Sequence, residues 1–406
     1  MTPWLGIVGI GEDGWAGLGA AARALVETAE TLVGGGRHLG LVPMGKAERL
    51  RWRQPLSDSI ADIVARRGTR VVVLASGDPL WYGVAVALLR HVAVAEMTIL
   101  PMPSAFSLAA ARLGWPLAEC VMLSLHARPL EALRLHLTPG RRLLLLSHDG
   151  ETPRRVAALL QQTGWGPSRL TVFAHMAGPC ETAIHATAAD WGERNAPDLN
   201  TIAVECVATT QARPLPLLAG LPDDAFEHDG QLTKRDMRAA TLARLAPLPG
   251  ERLWDIGAGS GAIAIEWLRA ARGGHAVAVE HEAARAATIA RNAATLGVPQ
   301  VEIIVGRAPI ALAEIAPTLG PPDAVFVGGG VADAALLPAL WEALRPGGRL
   351  VANAVSIAGE HALFDWQQRH GGELTRIAVS HAMPLGGQLA WRPLLPVTQL
   401  AARKPV

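Results

Sequence analysis

Three glycines alternate with other residues between positions 257 and 261, and this stretch is the part of the sequence best suited to binding a ligand. Apolar residues 253–256 precede it and helically spaced residues follow, which predicts a buried strand, a tight loop and the start of a helix. Glycines let the backbone approach a ligand closely, and the N–H groups that open a helix favour polar or anionic groups. Asp255 lies at the end of the predicted strand, where parallel α/β sheets bind their ligands.

The acidic residue Glu280 strengthens this interpretation. It ends a second apolar run, residues 276–279, and follows Gly261 by 19 residues. An acid at this position can accept hydrogen bonds from both hydroxyls of a ribose. The glycine spacing separates the loop from the G-x-G-x-x-G fingerprint of dinucleotide-binding proteins. The loop, the acid and the alternation of strands and helices are together far more specific than the loop alone.

The composition predicts a soluble α/β protein of two domains. A chain of 406 residues is longer than one hydrophobic core normally supports. Half of the residues are hydrophobic and the formal net charge is +1, which provides no bulk attraction to nucleic acid or membranes. Only three of the 37 basic residues are lysines. Arginine suits the bidentate binding of carboxylates, although a genome biased towards arginine codons would explain most of the excess.

The sequence also predicts a cytoplasmic protein without a metal site. Cys120, Cys180 and Cys206 are odd in number and far apart, which favours reduced, mostly buried thiols. A strand and glycine turn begin by Gly6, leaving no room for a signal peptide, and no uninterrupted apolar run is long enough to span a bilayer. His175 and Cys180 share a predicted loop, but two potential ligands do not make a metal site.

The first half of the chain is predicted to consist of strands that end in glycine or proline turns. The predicted strands comprise residues 5–11, 71–75, 98–100, 143–146, 170–173 and 202–206. Residues 18–32 have helical spacing. The second of these strands runs into the turn Gly77-Asp78-Pro79, and Ser104 follows the third strand as a possible cap for the next helix.

A proline-rich segment, residues 213–225, is predicted to link a domain of residues 1–212 to a domain of residues 226–406. Strands of the second domain are expected at residues 253–256, 276–279, 301–305, 323–327 and 349–355, with helices at residues 282–296, 331–344 and 359–370. Residues 389–397 are expected to pair with residues 374–379. Strands after the last helix predict an antiparallel edge on a mostly parallel sheet.

The second half resembles the class I S-adenosylmethionine-dependent methyltransferases. The matching features are the loop at 255–261, Glu280, the strand that begins at Asp323 and the turn at 344–350. More narrowly, residues 229–235, 306–309 and 327–330 resemble the methyltransferases of cobalamin biosynthesis that methylate C-15 of a precorrin and decarboxylate its C-12 acetate.

The first half resembles the tetrapyrrole methylases, through residues 7–11, the turn at 77–79 with Gly83 after it, and residues 101–105 with the helix that ends at 113–116. The two families joined in this order resemble the bifunctional precorrin C-5,15-methyltransferases, and the resemblance covers nearly the whole chain. It implies a two-lobed class III methyltransferase fold followed by a Rossmann-like class I fold with a mostly parallel seven-stranded sheet.

The resemblance implies two S-adenosylmethionine sites, one in each half, and no metal. Carried over residue by residue, the site in the second half comprises Thr233, Gly257, Ala258, Gly259, Ser260, Gly261, Glu280 and Ala308. The site in the first half comprises Gly9, Gly11, Gly77, Asp78, Ser104 and Ala105. Two departures stand out: Glu280 replaces the usual aspartate, and Gly11-Glu12-Asp13-Gly14 stands where many tetrapyrrole methylases have Gly-Pro-Gly.

The implied reaction transfers two methyl groups to meso carbons of a reduced tetrapyrrole and releases carbon dioxide. The sulfonium methyl is already electrophilic, so the protein mainly has to align the reactants and exclude water. Arg235 and Arg238 are the candidates for binding the substrate carboxylates, with a solvated helix face as the alternative. Asp78 is the candidate acid of the first half, with an Asx cap of the Asp-Pro turn as the alternative. For Tyr82 and His126, contacts with the macrocycle compete with purely structural roles.

The expected partners are a small tetrapyrrole and further copies of the same chain, since both families tend to form oligomers. A methyltransferase acting on RNA or protein is one alternative. The near-neutral charge and the single tyrosine argue against RNA, and this alternative leaves the first half unexplained. A non-catalytic regulator that binds S-adenosylmethionine is another alternative. It would be favoured by a degraded glycine loop or by the loss of Asp78, and neither occurs.

Overall fold

The computed structural model describes residues 3–406, apart from the side chains of residues 314–318, and divides the chain into two compact units. The first unit comprises residues 3–130 and 136–214, and the second comprises residues 131–135 and 215–406. The segment expected to be a linker is packed against the second unit. Leu221 is fully buried in its core, and the N–H groups of Gly220 and Leu221 donate to the carboxylate of Glu266.

Two five-stranded sheets form the framework of the first unit. Its strands are β1 Leu5–Ile10, β2 Thr31–Gly34, β3 Glu48–Arg51, β4 Val71–Ser76, β5 Met97–Leu100, β6 Cys120–Ser124, β7 Arg142–Leu146, β8 Arg169–Ala174, β9 Thr182–Thr187 and β10 Asn200–Glu205. Its helices are α1 Gly14–Gly17, α2 Ala20–Thr28, α3 Gly36–Gly40, α4 Leu56–Val64, α5 Ala85–Leu88, α6 Ala105–Leu113 and α7 Thr152–Gln162.

The first sheet has the order β3-β2-β4-β1-β5 and is parallel throughout. The second sheet has the order β6-β7-β10-β8-β9, and its paired strands are antiparallel except for β6 and β7. All six residues of β1 are buried, as expected for a parallel strand covered on both faces. The carboxyl ends of β1 and β4 lie side by side, so the loops that follow them form one surface.

The second unit is a seven-stranded sheet with helices on both faces. Its strands are β11 Arg252–Ile256, β12 His275–Glu280, β13 Glu302–Val305, β14 Ala324–Val327, β15 Arg349–Ala354, β16 Glu373–Ile377, β17 Ser380–Leu385, β18 Gln388–Pro393 and β19 Val397–Arg403. Its helices are α8 Arg235–Leu245, α9 Ala262–Ala270, α10 Ala283–Thr295, α11 Ile310–Leu319, α12 Leu336–Ala343 and α13 Ile357–His370.

The seven strands have the order β13-β12-β11-β14-β15-β19-β16, and β19 runs in the opposite direction to the other six. One face of the sheet packs on α8, α9 and α10, and the other packs on α12 and α13. Strand β11 is fully buried after its first residue, because both faces of the central strands are covered. The α/β class, the two-sheet first half and the mostly parallel sheet of the second half are therefore confirmed.

Two local predictions were wrong. The helix expected over residues 18–32 ends at Thr28, and residues Thr31–Gly34 form the buried strand β2 beside β4. Residues 389–397 do not pair with 374–379. The pair Gly386 and Gly387, both with positive φ, instead closes a separate β17–β18 hairpin, and β16 pairs with β19. In the first case the strand that pairs with the short apolar run is distant in the sequence, whereas in the second the local glycine turn decides the pairing.

The thiols are less buried than expected, since only Cys206 is buried while Cys120 is half-buried and Cys180 is exposed. Burial raises the pKa of the Cys206 thiol to about 12. Within the described part of the chain, no helix is long and apolar enough to cross a membrane, and no group of three or more potential metal ligands occurs.

A buried ion pair fastens the entry segment of the second unit to its sheet. The fully buried guanidinium of Arg238 contacts Glu266 at 2.8 Å and Asp223 at 2.9 Å, and it also donates to the carbonyls of Leu221 and Thr233. Arg238 therefore has a structural role, and the expectation that it binds substrate carboxylates is wrong. Its position on α8 did not reveal that this face of the helix is turned inwards.

We expect Glu266→Gln to lower the free energy of unfolding of the second unit by about 3–5 kcal/mol, because it leaves the buried charge of Arg238 without its main counter-ion. Calorimetric unfolding of the full-length chain would measure the change. The control is Glu227→Gln, which breaks the exposed pair with Arg291 and should cost no more than about 1 kcal/mol. Equal effects of the two substitutions would contradict a structural role for the buried pair.

Candidate cofactor and substrate sites

A cavity of about 850 Å³ lies at the carboxyl ends of the strands in the second unit. Most of the residues proposed for cofactor binding in this half line it: Thr233, Gly257, Ala258, Gly259, Glu280 and Ala308. Ser260 and Gly261 do not. Ser260 is buried behind the loop, and its carbonyl accepts a hydrogen bond from Asn292. These two residues therefore support the loop rather than the cavity surface.

The glycines of the loop are required by its backbone. Gly257, Gly259 and Gly261 all have positive φ, at 68°, 59° and 79°. A Cβ on Gly257 would lie 2.8 Å from the backbone nitrogen of Gly329, where the loops after β11 and β14 meet. A Cβ on Gly261 would lie 2.7 Å from a side-chain carbon of Ile289 on α10. Gly257 is thus needed for the approach of two loops, and Gly261 for the packing of a helix.

The carboxylate of Glu280 holds the glycine loop against β12. Its Oε2 accepts from the N–H of Gly259 at 2.8 Å, and its Oε1 accepts from the N–H of Glu282 at 3.1 Å. His281 Nδ1 lies 2.9 Å from Oε1. The side chain is almost completely buried yet reaches the cavity. This geometry gives the cavity a fixed acceptor beside the glycine loop.

Asp255 is a buried support of the same loop and does not line the cavity. Its Oδ2 accepts from the N–H of Ala264 in the first turn of α9, at 3.0 Å. Its Oδ1 has no hydrogen-bond partner within the described structure. Burial raises the pKa of Asp255 to about 7 against the effect of the hydrogen bond from Ala264, and the negative charge of Glu280 adds to the rise.

Basic residues also line this cavity, but they are not those expected from the sequence. Arg235 is exposed outside it and donates to the carbonyl of Gly220 at 2.8 Å. The cavity is instead lined by Lys234, Arg285 and Arg307. Arg285 is paired with Asp229 at 2.8 Å, whereas Arg307 is exposed at the cavity wall. Its position directly after β13, at the carboxyl end of a parallel strand, was a usable signal.

The far side of the cavity is apolar. It is formed around β15, β16 and β19 by Val355, Ile377, Val379, Leu394, Leu395 and Val397. Strand β14 separates this side from β11 and β12, which carry the glycine loop and Glu280. The cavity therefore has a polar half suited to a nucleoside and an apolar half suited to a flat, largely hydrophobic molecule.

A cavity of about 1050 Å³ lies within the first unit. Five of the six residues proposed for its cofactor site line it: Gly11, Gly77, Asp78, Ser104 and Ala105. Gly9 lies beneath this surface. A Cβ on Gly9 would collide with the carbonyl oxygen of Gly77 and lie 2.7 Å from the backbone nitrogen of Met102. Gly9 therefore allows the close approach of the loops after β4 and β5.

The turn after β4 presents Asp78 at the cavity. Its Oδ1 accepts from the N–H of Leu80 at 2.9 Å, which is the Asx turn expected for an Asp-Pro sequence. The turn is compact, since a Cβ on Gly83 would overlap the backbone of Pro79. Next to this turn, Ser104 caps α6 by accepting from the N–H of Ser107 at 3.1 Å, as predicted. The structural role of Asp78 is thus present, and its carboxyl group remains at the cavity wall.

Glu12, in the atypical first loop, takes part in a polar cluster at the cavity. It is paired with Arg37, and its Oε2 lies 3.0 Å from His175 Nδ1. Burial acts to raise the pKa of Glu12, but the hydrogen bond from His175 and the charge of Arg37 outweigh it and hold the pKa below its ordinary value. His38, beside Arg37 and Ser76, has its pKa lowered to about 4 by burial and by the charge of Arg37, so it is neutral at pH 7.

Aromatic side chains form another part of the wall. Trp81, Tyr82 and Phe106 make edge-to-face contacts with centroids 6.2–6.5 Å apart. The guanidinium of Arg128 lies 4.9 Å from the centre of the Tyr82 ring. Tyr82 and His126 both line the cavity and are exposed, which places them where a ligand can reach them. His126 is paired with His148, its Nδ1 lying 3.3 Å from Nδ1 of His148.

Comparison with known families divides the chain in the same way. The family model of tetrapyrrole (corrin/porphyrin) methylases matches residues 5–191, and that of the precorrin methyltransferase domain matches residues 224–404. A Sinorhizobium protein named precorrin-6Y C(5,15)-methyltransferase [decarboxylating] is 49% identical over 400 residues, which cover 98% of this chain and 96% of that protein.

Shorter relatives match less than half of the chain. The cobalt-precorrin-7 C(5)-methyltransferase of Salmonella typhimurium is 31% identical over 175 residues, covering 43% of this chain and 85% of that protein. A Saccharolobus solfataricus protein named "Probable cobalt-precorrin-6B C(15)-methyltransferase (decarboxylating)" is 28% identical over 197 residues, covering 47% of this chain and 98% of that protein.

We expect Asp255→Asn to remove a pH dependence of stability. The folded protein keeps the Asp255 proton up to about pH 7, whereas the unfolded chain releases it near the ordinary value of 3.8. The wild type should therefore lose stability relative to the variant as the pH rises through this window, with no further change above it. Unfolding temperatures of both proteins measured across this pH range would show the trend. A constant difference between them would contradict the raised pKa.

Proposed function

This chain belongs to the family of decarboxylating precorrin-6Y C(5,15)-methyltransferases, and we propose on that basis that it transfers methyl groups from S-adenosylmethionine to C-5 and C-15 of precorrin-6Y and removes the carboxyl group of the C-12 acetate, in cobalamin biosynthesis. The observation that carries the proposal is the 49% identity to such an enzyme over 98% of the chain. Two cavities built from glycine turns at the carboxyl ends of parallel strands, one in each unit, support it.

We assign C-5 methylation to the first unit, and C-15 methylation with decarboxylation to the second. The functional boundaries proposed are residues 1–212 and 226–406, with residues 213–225 between them. The match of the tetrapyrrole methylase model to residues 5–191, and of the precorrin methyltransferase model to residues 224–404, supports this division. The relatives that match less than half of the chain carry single C(5)- and C(15)-methyltransferase names, which is consistent with separable activities.

The residues of the second cavity fit S-adenosylmethionine. The backbone of Gly257 and Gly259 forms a cradle without side chains, and Glu280 offers a fixed carboxylate within reach of a ribose. Thr233 and Ala308 complete the wall. Ser260 and Gly261 act through the loop conformation. Bound here, the cofactor would supply an electrophilic methyl group.

In the first cavity, Gly11, Gly77, Asp78, Ser104 and Ala105 are proposed to surround a second S-adenosylmethionine, with Gly9 holding their loops together. Gly77 has a positive φ of 54°, a backbone conformation that favours glycine in this turn. Asp78 is suited to binding a polar part of the cofactor or to accepting a proton. The Glu12 cluster occupies the position of the usual Gly-Pro-Gly turn, so the first loop contacts its ligand through charged groups.

The work of the protein in this chemistry is chiefly alignment. A reduced tetrapyrrole supplies a carbon nucleophile, so the residues must hold that carbon in line with the methyl group and exclude water. Lys234, Arg285 and Arg307 in the second cavity, and Arg90 and Arg128 in the first, are proposed to bind substrate carboxylates in place of Arg235 and Arg238. When carbon dioxide leaves, the electron pair of the broken bond passes into the macrocycle, where a protonated ring imine accepts it.

We also propose that the chain forms a homo-oligomer through the β17–β18 hairpin. Leu389 and Trp391 share one face of this hairpin and are 73% and 75% exposed. An isolated two-stranded hairpin is only marginally stable in water, and a cluster of exposed apolar residues is typical of an interface. A second copy of the chain, presenting the same hairpin, would bury these side chains.

Two single substitutions should separate the reactions. A valine at Gly77 or Gly259 is strained by the positive φ of that position. Its Cβ would lie 3.0 Å from the Pro103 oxygen at position 77, and 3.2 Å from the Gln231 oxygen at position 259. Mass spectrometry of precorrin-6Y incubated with S-adenosylmethionine should show two methyl groups gained and one carbon dioxide lost with the wild type. Gly259→Val should abolish decarboxylation, whereas Gly77→Val should retain it and lose one methylation.

The matched controls are Gly140→Val and Gly273→Val, which impose similar backbone strain in each unit where a Cβ meets open space. Both should behave like the wild type. Calorimetry with S-adenosylmethionine should count two sites in the wild type and the controls, and one site in each cavity variant. Decarboxylation that survives in Gly259→Val, or two sites remaining in either cavity variant, would overturn the assignment.

The hairpin proposal predicts that Leu389→Glu combined with Trp391→Glu dissociates the oligomer, because buried carboxylates would face an apolar surface. Light scattering coupled to size-exclusion chromatography would give the mass. The control, Met44→Glu, alters an exposed apolar residue elsewhere and should leave the mass unchanged. A monomeric wild type, or a double variant with the wild-type mass, would refute the hairpin contact.

A further inference from the structure

Asn353, near the carboxyl end of β15, is a polar residue on the apolar side of the second cavity. We propose that its side-chain amide forms hydrogen bonds with the tetrapyrrole and so positions the methyl acceptor, and that Thr241 and Gln399 are the positioning residues that hold this amide. The inference deepens the proposed function of the second unit and rests on it.

The amide of Asn353 is held from two directions. Its Nδ2 donates to Thr241 Oγ1 at 3.0 Å, and its Oδ1 accepts from Gln399 Nε2 at 2.9 Å. Gln399 Nε2 also lies 3.2 Å from Thr241 Oγ1, which closes a three-membered network. Asn353 and Gln399 are directly opposite each other in the antiparallel β15–β19 pair, so their side chains share one face of the sheet.

Only one member of this network reaches the cavity. Thr241 on α8 is completely buried and Gln399 is 1% exposed, whereas Asn353 is partly exposed and lines the cavity. An amide nitrogen carries two hydrogens and an amide oxygen two lone pairs, and the network uses one of each. One hydrogen on Nδ2 and one lone pair on Oδ1 of Asn353 therefore remain for a ligand, and the rotation of this amide is already restrained by its neighbours.

The surroundings make a purely structural role a poor explanation. Val351 and Val397 lie two residues from Asn353 and Gln399 in their strands, on the same face of the sheet, and both are buried hydrophobic residues. Apolar residues at all three positions of the network would pack here without the desolvation cost of three polar side chains. A buried network that ends in one amide at a cavity wall is better explained by the ligand that the amide contacts.

Strand order indicates which ligand this is. Asn353 lies on β15, separated by β14 from the strand that carries the glycine loop. Its neighbours at the cavity are Val355, Ile377, Leu394 and Val397. These apolar side chains would cover the face of a macrocycle, but they would not fix its orientation. A rigid amide can fix this orientation, because it can donate to a carboxylate oxygen or imine nitrogen of a tetrapyrrole and accept from a pyrrole N–H at the same time.

The test substitutes Asn353→Leu, which is close in size and leaves the contact between Thr241 and Gln399 intact. The parent protein is the full-length Gly77→Val variant, in which the first cavity is blocked, saturated with S-adenosylhomocysteine. Adding Asn353→Leu to this parent should weaken tetrapyrrole binding about tenfold. Decarboxylation should fall by a similar factor in kcat/KM for the tetrapyrrole. The KM for S-adenosylmethionine and the unfolding temperature should stay close to those of the parent, which a merely structural role would not allow.

A second pair of variants tests the positioning residues. Thr241→Val removes the hydroxyl while keeping the shape, and should also lower kcat/KM for the tetrapyrrole, whereas Thr241→Ser keeps the hydroxyl and should restore most of it. Tetrapyrrole binding by Asn353→Leu within twofold of its parent, or an equal loss of cofactor affinity, overturns the inference. Binding that weakens as expected in a protein that never decarboxylates precorrin-6Y would support the contact while refuting the proposed reaction. A parent chain that binds no tetrapyrrole would refute both.

Discussion

The buried charge of Arg238 is the constraint on which the second cavity depends. A guanidinium removed from water must have its donors satisfied and its charge balanced, otherwise the cost is several kcal/mol. Here the requirement is met by Glu266 on α9, by Asp223, and by the carbonyls of Leu221 and Thr233. These partners draw the segment before α8 across the end of the sheet. Residues 230–234 form one wall of the cavity, so their position depends on an ion pair whose own residues do not line that cavity.

The two units reach a similar arrangement from different strand orders. In the first, Gly9 meets the backbone of Gly77, and in the second, Gly257 meets the backbone of Gly329. In both cases a glycine lets the loops from neighbouring parallel strands approach until a side chain no longer fits between them. The result is a surface of exposed backbone at the carboxyl edge of the sheet, which suits a ligand with several polar groups. The acidic groups nearby differ, since Glu280 is held by backbone N–H groups while Glu12 is held by Arg37 and His175.

Local patterns in the sequence were enough to predict the fold class and to choose candidate cofactor residues, most of which line the two cavities. The glycine loop and Glu280 are recognisable because a strand, a turn and a helix follow each other within a short stretch. The burial of Arg238 cannot be predicted from local patterns, because it depends on Glu266, a partner on another helix. Arg307 lies after β13 in the segment 306–309 that resembles the precorrin methyltransferases, but the resemblance assigns it no role. The network of Asn353 joins two strands and a helix, and its members Thr241 and Gln399 are more than a hundred residues apart in the sequence. No local pattern therefore predicts this network.

The position of β19 has a consequence for the order in which the protein can assemble. This strand, Val397–Arg403, is the last in the chain, yet it lies between β15 and β16 rather than at an edge of the sheet. Until it emerges from the ribosome, β15 has an unpaired edge and β16 has no neighbour in the sheet. The first unit is fully translated by then and can fold while synthesis continues, whereas the second must wait for its final strand. Gln399 belongs to that strand, so the hydrogen-bond network of Asn353 beside the second cavity is completed only after β19 has been translated.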